Sequence, residues 1–176
     1  MRVIAGQLKG QQFKSPPGNR SHPMSEKARG ALFNTLGDVQ GLSVLDAYGG
    51  SGALAIEAWS RGAASVTIVE KSALAYRTIK KNLDKLGLLE SIKATRANVS
   101  TWSDNNIDLE FDIVLADPPY NDIRPNILEK LARHLSPGGS FVLSWPGSEE
   151  VPDLAGLKLI KAQDYNDIQL IYFRAS

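Results

Sequence analysis

The chain has 176 residues, 43% hydrophobic and 22% charged, a composition that suits one globular domain with a single sizeable core. It has no cysteine, which excludes disulfides, thiolate nucleophiles and cysteine-held metals; its two histidines, His22 and His134, have no metal ligand at helical spacing, so no metal site is expected. No apolar run reaches the roughly 18–20 residues that cross a bilayer and no signal-peptide stretch opens the chain, so the expectation is a cytoplasmic protein without a membrane partner.

The net charge of +1 conceals an asymmetry. Residues 1–30 carry six basic side chains (Arg2, Lys9, Lys14, Arg20, Lys27 and Arg29) against the single acid Glu26, while the remainder carries 14 basic and 18 acidic residues. An acidic body with a basic arm predicts a polyanionic partner held by the arm; the competing reading is a solvated basic terminus.

In chain order, residues 1–20 read as short extended pieces broken by Gly6 and Gly10, followed by a turn at Ser15–Asn19. Ser25 can cap a helix that runs to about Leu36, with Ala28, Leu32, Phe33 and Leu36 on one face and Gly37 as its stop. The division expected is an arm over 1–24 and a main domain over 25–176. Strand-like runs follow at 43–46, 65–70, 92–97, 111–117 and 140–145, with helix-like runs at 52–61, 72–86 and 125–135. Such alternation predicts a parallel sheet covered on both faces. The last two runs, 157–162 and 168–174, flank Tyr165-Asn166-Asp167 with no helix between them and read as an antiparallel hairpin. The fold class expected is α/β: a Rossmann-like, doubly wound, mostly parallel seven-stranded sheet with a C-terminal antiparallel hairpin and a small basic N-terminal β extension, as in class I methyltransferases.

Two loops carry the chemistry. The first, Asp46-Ala47-Tyr48-Gly49-Gly50-Ser51-Gly52, joins a strand to a helix. It is neither a dinucleotide GxGxxG turn nor a GK[ST] phosphate loop, and Asp46 would repel a pyrophosphate but suits an ammonium. Glu70 ends the next strand, where an acid can accept both hydroxyls of a ribose. Together they point to S-adenosylmethionine; the bland alternative is a tight turn beside a surface acid. The second loop, Asp117-Pro118-Pro119-Tyr120, follows an apolar strand and should open into the same crevice, since ligands gather at the carboxyl ends of parallel strands. Its prolines stiffen the backbone and remove donors. Asp117 and the Pro118 carbonyl can accept from one exocyclic NH2, and Tyr120 offers a face on which a base can stack. Two acceptors holding both N–H groups would turn the nitrogen lone pair toward an incoming methyl. Asp117 to Tyr120 are therefore the candidate catalytic residues, with Asp117 positioning rather than deprotonating.

These features together resemble the RsmD family, bacterial methyltransferases acting on N2 of a guanine in 16S ribosomal RNA. The resemblance runs through Met1–Gly6 with Lys9-Gly10, Pro23–Asn34, Asp46–Leu54, Glu57-Ala58, Ser60–Ala63, Val69–Lys71, Asn82-Leu83 and Asp117–Tyr120. It implies a cofactor site lined by Asp46, Gly49, Gly52 and Glu70, completed by Gly50, Ser51, Lys71, Asn98 and Val99, with the guanine at Asp117–Tyr120. It also implies a 16S ribosomal RNA or small-subunit assembly particle as partner, gripped through Arg2, Lys9, Lys14, Arg20, His22, Lys27 and Arg29, and a monomeric enzyme. The chain departs from the family in four places: His22-Pro23-Met24-Ser25-Glu26 stands for Arg-Pro-Thr-Ser-Asp, Gly50 for alanine, Asn98 for an aspartate that accepts from the adenine amino group, and Asn166 for glycine. Alternatives are a DNA adenine-N6 methyltransferase, a non-catalytic RNA-binding assembly factor and, more remotely, a nicotinamide dehydrogenase.

Overall fold

The computed structural model describes residues 1–18, 24–147 and 149–176. Its frame is one seven-stranded sheet in the order β3-β2-β1-β4-β5-β7-β6. In chain order the elements are α1 (Glu26–Leu36), β1 (Ser43–Asp46), α2 (Ala53–Ser60), β2 (Ser65–Glu70), α3 (Ala73–Lys85), β3 (Ile92–Arg96), α4 (Val99–Asn105), β4 (Phe111–Ala116), α5 (Pro125–Ala132), β5 (Leu135–Pro146), β6 (Leu157–Tyr165) and β7 (Ile168–Ala175). The first five strands run parallel, and β7 inserts antiparallel between β5 and β6.

The central strands are apolar throughout because both faces are covered, and their two-residue period sends neighbours to opposite sides. Val44, Ile113 and Leu115 join the core beneath α1, α2 and α3, whereas Leu45, Val114 and Ala116 join the core beneath α4 and α5. Asp46 lies beside Leu115 in the register of β1 and β4, so β1 and β4 end at the same sheet edge.

The arm rests on the α1–α3 side. Val3 and Phe13 are buried in that core, and Arg2 bridges Gln12. The expected pair of extended pieces is thus reduced to one β-bridge. Gly6 lies so close to the end of α2 that a Cβ would fall 1.8 Å from the Ser60 carbonyl oxygen, and its φ of +81° is the left-handed region glycine permits. Buried Glu57 anchors this contact: it accepts from the amides of Ile4 (2.9 Å) and Ala5 (3.0 Å) and from Arg61 Nε (2.8 Å).

Several elements differ from the sequence-based expectation. Residues 99–105 form α4, a segment too polar and β-branched to show an apolar stripe; Asn98 caps it and buried Trp102 packs at a tilt against Phe111 and His134 to anchor it. Helix α5 stops at Ala132 instead of running to Leu135. The His134 ring there bridges Ser103 Oγ (2.8 Å) and the Leu109 carbonyl (2.7 Å), and Leu135 already pairs with Phe111. Strand β5 consequently starts five residues early, with a bulge absorbing Pro137-Gly138-Gly139. The terminal hairpin is longer than expected, and Asn166 turns it at φ 57°.

Candidate active site

The carboxyl ends of β1, β2 and β4 carry Asp46, Glu70 and Asp117. Asp46 and Asp117 are close enough that the charge of Asp117 helps push the Asp46 carboxyl up, and Asp122 does the same to the Tyr48 phenol. The glycine loop after β1 and the proline loop after β4 leave adjacent parallel strands at the same edge, and the space between them is the candidate crevice.

Asp46 is 1% exposed, and neither of its oxygens meets a hydrogen-bond donor among the described residues. Burial, then the charge of Asp117 and more weakly that of Glu70, raises its pKa from the ordinary 3.8 to about 7; the amides of Tyr48 and Ala55 pull the other way without reaching ordinary hydrogen-bond geometry. An unpartnered buried carboxylate costs free energy, and a cationic ligand relieves that cost.

The loop itself is built by close approach. A Cβ on Gly49 would fall 2.4 Å from Ile68 Cγ2 and 2.9 Å from Ile79 Cδ1, so only glycine lets the turn lie against β2 and α3. Glu70 stitches it down: Oε2 accepts from Gly50 N (2.8 Å) and Oε1 from Ser72 N (2.7 Å). Each oxygen retains a lone pair for a further donor. Buried Asn82 on α3 braces the loop from behind, donating to the Ser51 carbonyl (2.9 Å) and the Lys14 carbonyl (2.8 Å) and accepting from Lys14 N (2.9 Å). One side chain thus fastens arm and loop together. Asn82→Ala should cost about 1–3 kcal/mol in urea unfolding, because three backbone groups lose their partner.

On the opposite wall, Pro118 is buried and Pro119 is held at φ −62°, ψ 126°. The Pro119 carbonyl accepts from Asp122 N, while the Pro118 carbonyl has no donor among the described residues and remains available. Tyr120 is 40% exposed, and its hydroxyl lies 2.9 Å from Ser144 Oγ on β5. Ser144 is buried, and its hydroxyl beside Asp117 works to lower the Asp117 pKa; burial outweighs this and leaves that carboxyl above its ordinary value. Sequence reasoning missed Ser144. The register that sets Leu143 opposite Ala116 makes it the neighbour of Asp117, and a serine inside the apolar run Phe141–Trp145 was its signal. Ser144→Ala should leave folding intact and lower kcat roughly 2–10-fold; Tyr120→Phe should behave alike, and the double variant should be no worse than either.

The remaining expected residues divide. Asn98 Oδ1 accepts from Ser100 N (2.9 Å) as the cap of α4 and keeps its second lone pair, and Val99, the first residue of α4, is buried, leaving its main-chain amide as its polar contribution. Lys71 reaches Asp122 (2.9 Å), which Arg124 also pairs (2.9 Å), so an exposed ion pair spans the crevice mouth from β2 to the β4 loop. Among the expected RNA contacts Lys9, Lys14 and Lys27 are exposed, and exposed Arg2 is paired with Glu26 (2.8 Å). Arg29 corrects the expectation: it is 0% exposed, beside Glu57 (3.6 Å), over the Phe13 ring and bonded to the Arg2 carbonyl, so it holds the arm and cannot touch RNA from there. Arg20 and His22 lie outside the described residues. Among the described residues no cluster of metal ligands occurs.

Residues 1–174 match the family described as "Conserved hypothetical protein 95". The chain is 31% identical over 162 residues to the YlbH protein of Bacillus subtilis, covering 89% of this chain and 88% of that one. It is 32% identical over 148 residues to ribosomal RNA small subunit methyltransferase D of Escherichia coli K12, covering 79% and 68%. The solved structure of Escherichia coli YhhF superposes with a TM-score of 0.86 at 23% identity, covering 100% and 98%, a likeness of fold.

Proposed function

The chain belongs to the family described as conserved hypothetical protein 95, the RsmD family, and from that membership we propose that it moves a methyl group from S-adenosylmethionine to N2 of a guanine in 16S ribosomal RNA. The coarser reading, an S-adenosylmethionine-dependent ribosomal RNA methyltransferase, is what the curated relatives and the fold support together. The observation that carries the proposal is the buried Asp46 carboxylate without a hydrogen-bond donor, set beside an acceptor ledge of Asp117, the Pro118 carbonyl and Tyr120.

The orphaned carboxylate fits a cofactor that brings its own cationic groups. S-adenosylmethionine supplies a methyl already activated on a sulfonium, so the protein's task is alignment, worth up to about 7–11 kcal/mol when two reactants are well oriented. Asp46 meets the positive methionyl part. Glu70, while holding Gly50 and Ser72, keeps lone pairs for ribose hydroxyls. Asp117 and the Pro118 carbonyl accept the two N–H groups of the guanine amine, and the Tyr120 ring stacks on the base. Burial raises the Asp117 pKa, so its carboxylate also takes a proton more readily than a free aspartate. The partner is 16S RNA or its assembly particle, the enzyme acts as a monomer in the cytoplasm, and the arm's exposed lysines hold phosphates.

The test is methyl transfer from labelled S-adenosylmethionine to unmodified 16S RNA and to small-subunit particles, with nucleoside mass spectrometry of the product. One new N2-methylguanosine is expected. Label in adenine-N6 of duplex DNA, or none on any ribosomal substrate, contradicts the reading.

A further inference from the structure

We propose that the exposed face of α3 forms, with the neighbouring arm, the surface that grips the phosphates of the substrate RNA; the inference rests on the ribosomal RNA reading above. Arg77, Lys81 and Lys85 recur every four residues and so line one side of the helix, about 6 Å apart along its axis. All three are exposed, and none forms an ion pair among the described residues. Six cations elsewhere are committed to acids: Lys130 to Asp104, Arg124 and Lys71 to Asp122, Arg61 and Arg29 to Glu57, Arg2 to Glu26.

The stripe is joined to the arm and to the crevice. Asn82, one residue from Lys81, holds Lys14 by two main-chain hydrogen bonds, and Lys85 Nζ donates to the Gln12 carbonyl (2.7 Å). At its other end α3 begins at Ser72, whose amide Glu70 fixes at the crevice rim. The row therefore leads away from the rim for roughly 12 Å from Arg77 to Lys85. The opposite face is the more acidic: the segments that cover it, 99–110 with α4 and 125–132 with α5, carry four acids and one base. A polyanion is repelled there and drawn to the α3 side. The loss of Arg29 from the arm's contact set and the pairing of Arg2 are thus made good by three cations far away in sequence.

Two charge-matched variants test this in the intact protein. Arg77→Glu with Lys81→Glu should weaken binding of a labelled 16S RNA transcript about tenfold or more at 0.1 M salt. It should also lower the slope of log affinity against log salt by about 2, with S-adenosylmethionine affinity and the thermal midpoint unchanged. Lys158→Glu with Lys161→Glu, exposed on the far edge strand β6, should leave RNA affinity within about twofold of wild type. Equal weakening by both pairs, or by neither, while the wild type still methylates, overturns this inference alone. A wild type that binds no RNA and transfers no methyl overturns the functional reading as well.

Discussion

Asp117→Ala is expected to lower kcat by about 10²–10³-fold while RNA affinity stays within about twofold, because the ledge loses the acceptor that orients the amine but no phosphate contact. Asp117→Asn separates the roles of the side chain. An amide keeps one acceptor oxygen but neither the second nor the charge. If Asp117 acts chiefly by orientation, the asparagine variant retains about tenfold more activity than alanine. If proton removal dominates, the two fall together. Single-turnover rates with saturating RNA and cofactor distinguish these outcomes. Because burial holds the Asp117 pKa above the ordinary carboxylate range, the wild-type rate should fall as pH drops before a free aspartate would protonate.

The second large effect is a gain in stability. Asp46 titrates near 3.8 in the unfolded chain and at about 7 in the folded one, so the folded state binds the extra proton between those values. Stability without ligand should therefore decline as pH rises from about 4 to about 7 and level off above that. Asp46→Asn removes the buried charge and should raise unfolding free energy at pH 8 by up to about 4 kcal/mol, with little change at pH 4. The same variant should lose most of its affinity for S-adenosylmethionine. Urea titrations at the two pH values, with and without cofactor, read both effects. An aspartate that destabilises the empty protein yet strengthens ligand binding is doing the work of a site, not of the core.

Much of this was legible in the residues. Strands β1, β2 and β4 announce themselves as short apolar runs that end in an acid or, for β4, run straight into one, and helix α1 carries its cap Ser25 and its stop Gly37 in the sequence. Asn166 could be read as a left-handed turn residue because its short amide tolerates positive φ. What stayed hidden depends on contacts between distant segments. Arg29 looks like one more cation of a basic arm until α1 docks on α2 and buries it against Glu57. Asn98 reads only as a ligand contact until α4, anchored by Trp102, shows that it also serves as a cap. Ser144 and Asn82 are ordinary polar residues in sequence; only the register of β5 against β4, and the packing of α3 behind the glycine loop, give them partners. The stripe on α3 was missed for a related reason: charge was counted along the chain, and the fold adds it up across a face.

Asp46 and the crevice around it carry the functional reading, and calorimetric titration of the wild-type protein with S-adenosylmethionine tests that role most directly. Performed at pH 7 in two buffers of different ionisation enthalpy, it should show roughly half a proton released per cofactor bound, with affinity rising from pH 6 to pH 8. No binding, or binding with neither proton release nor pH dependence, would contradict it.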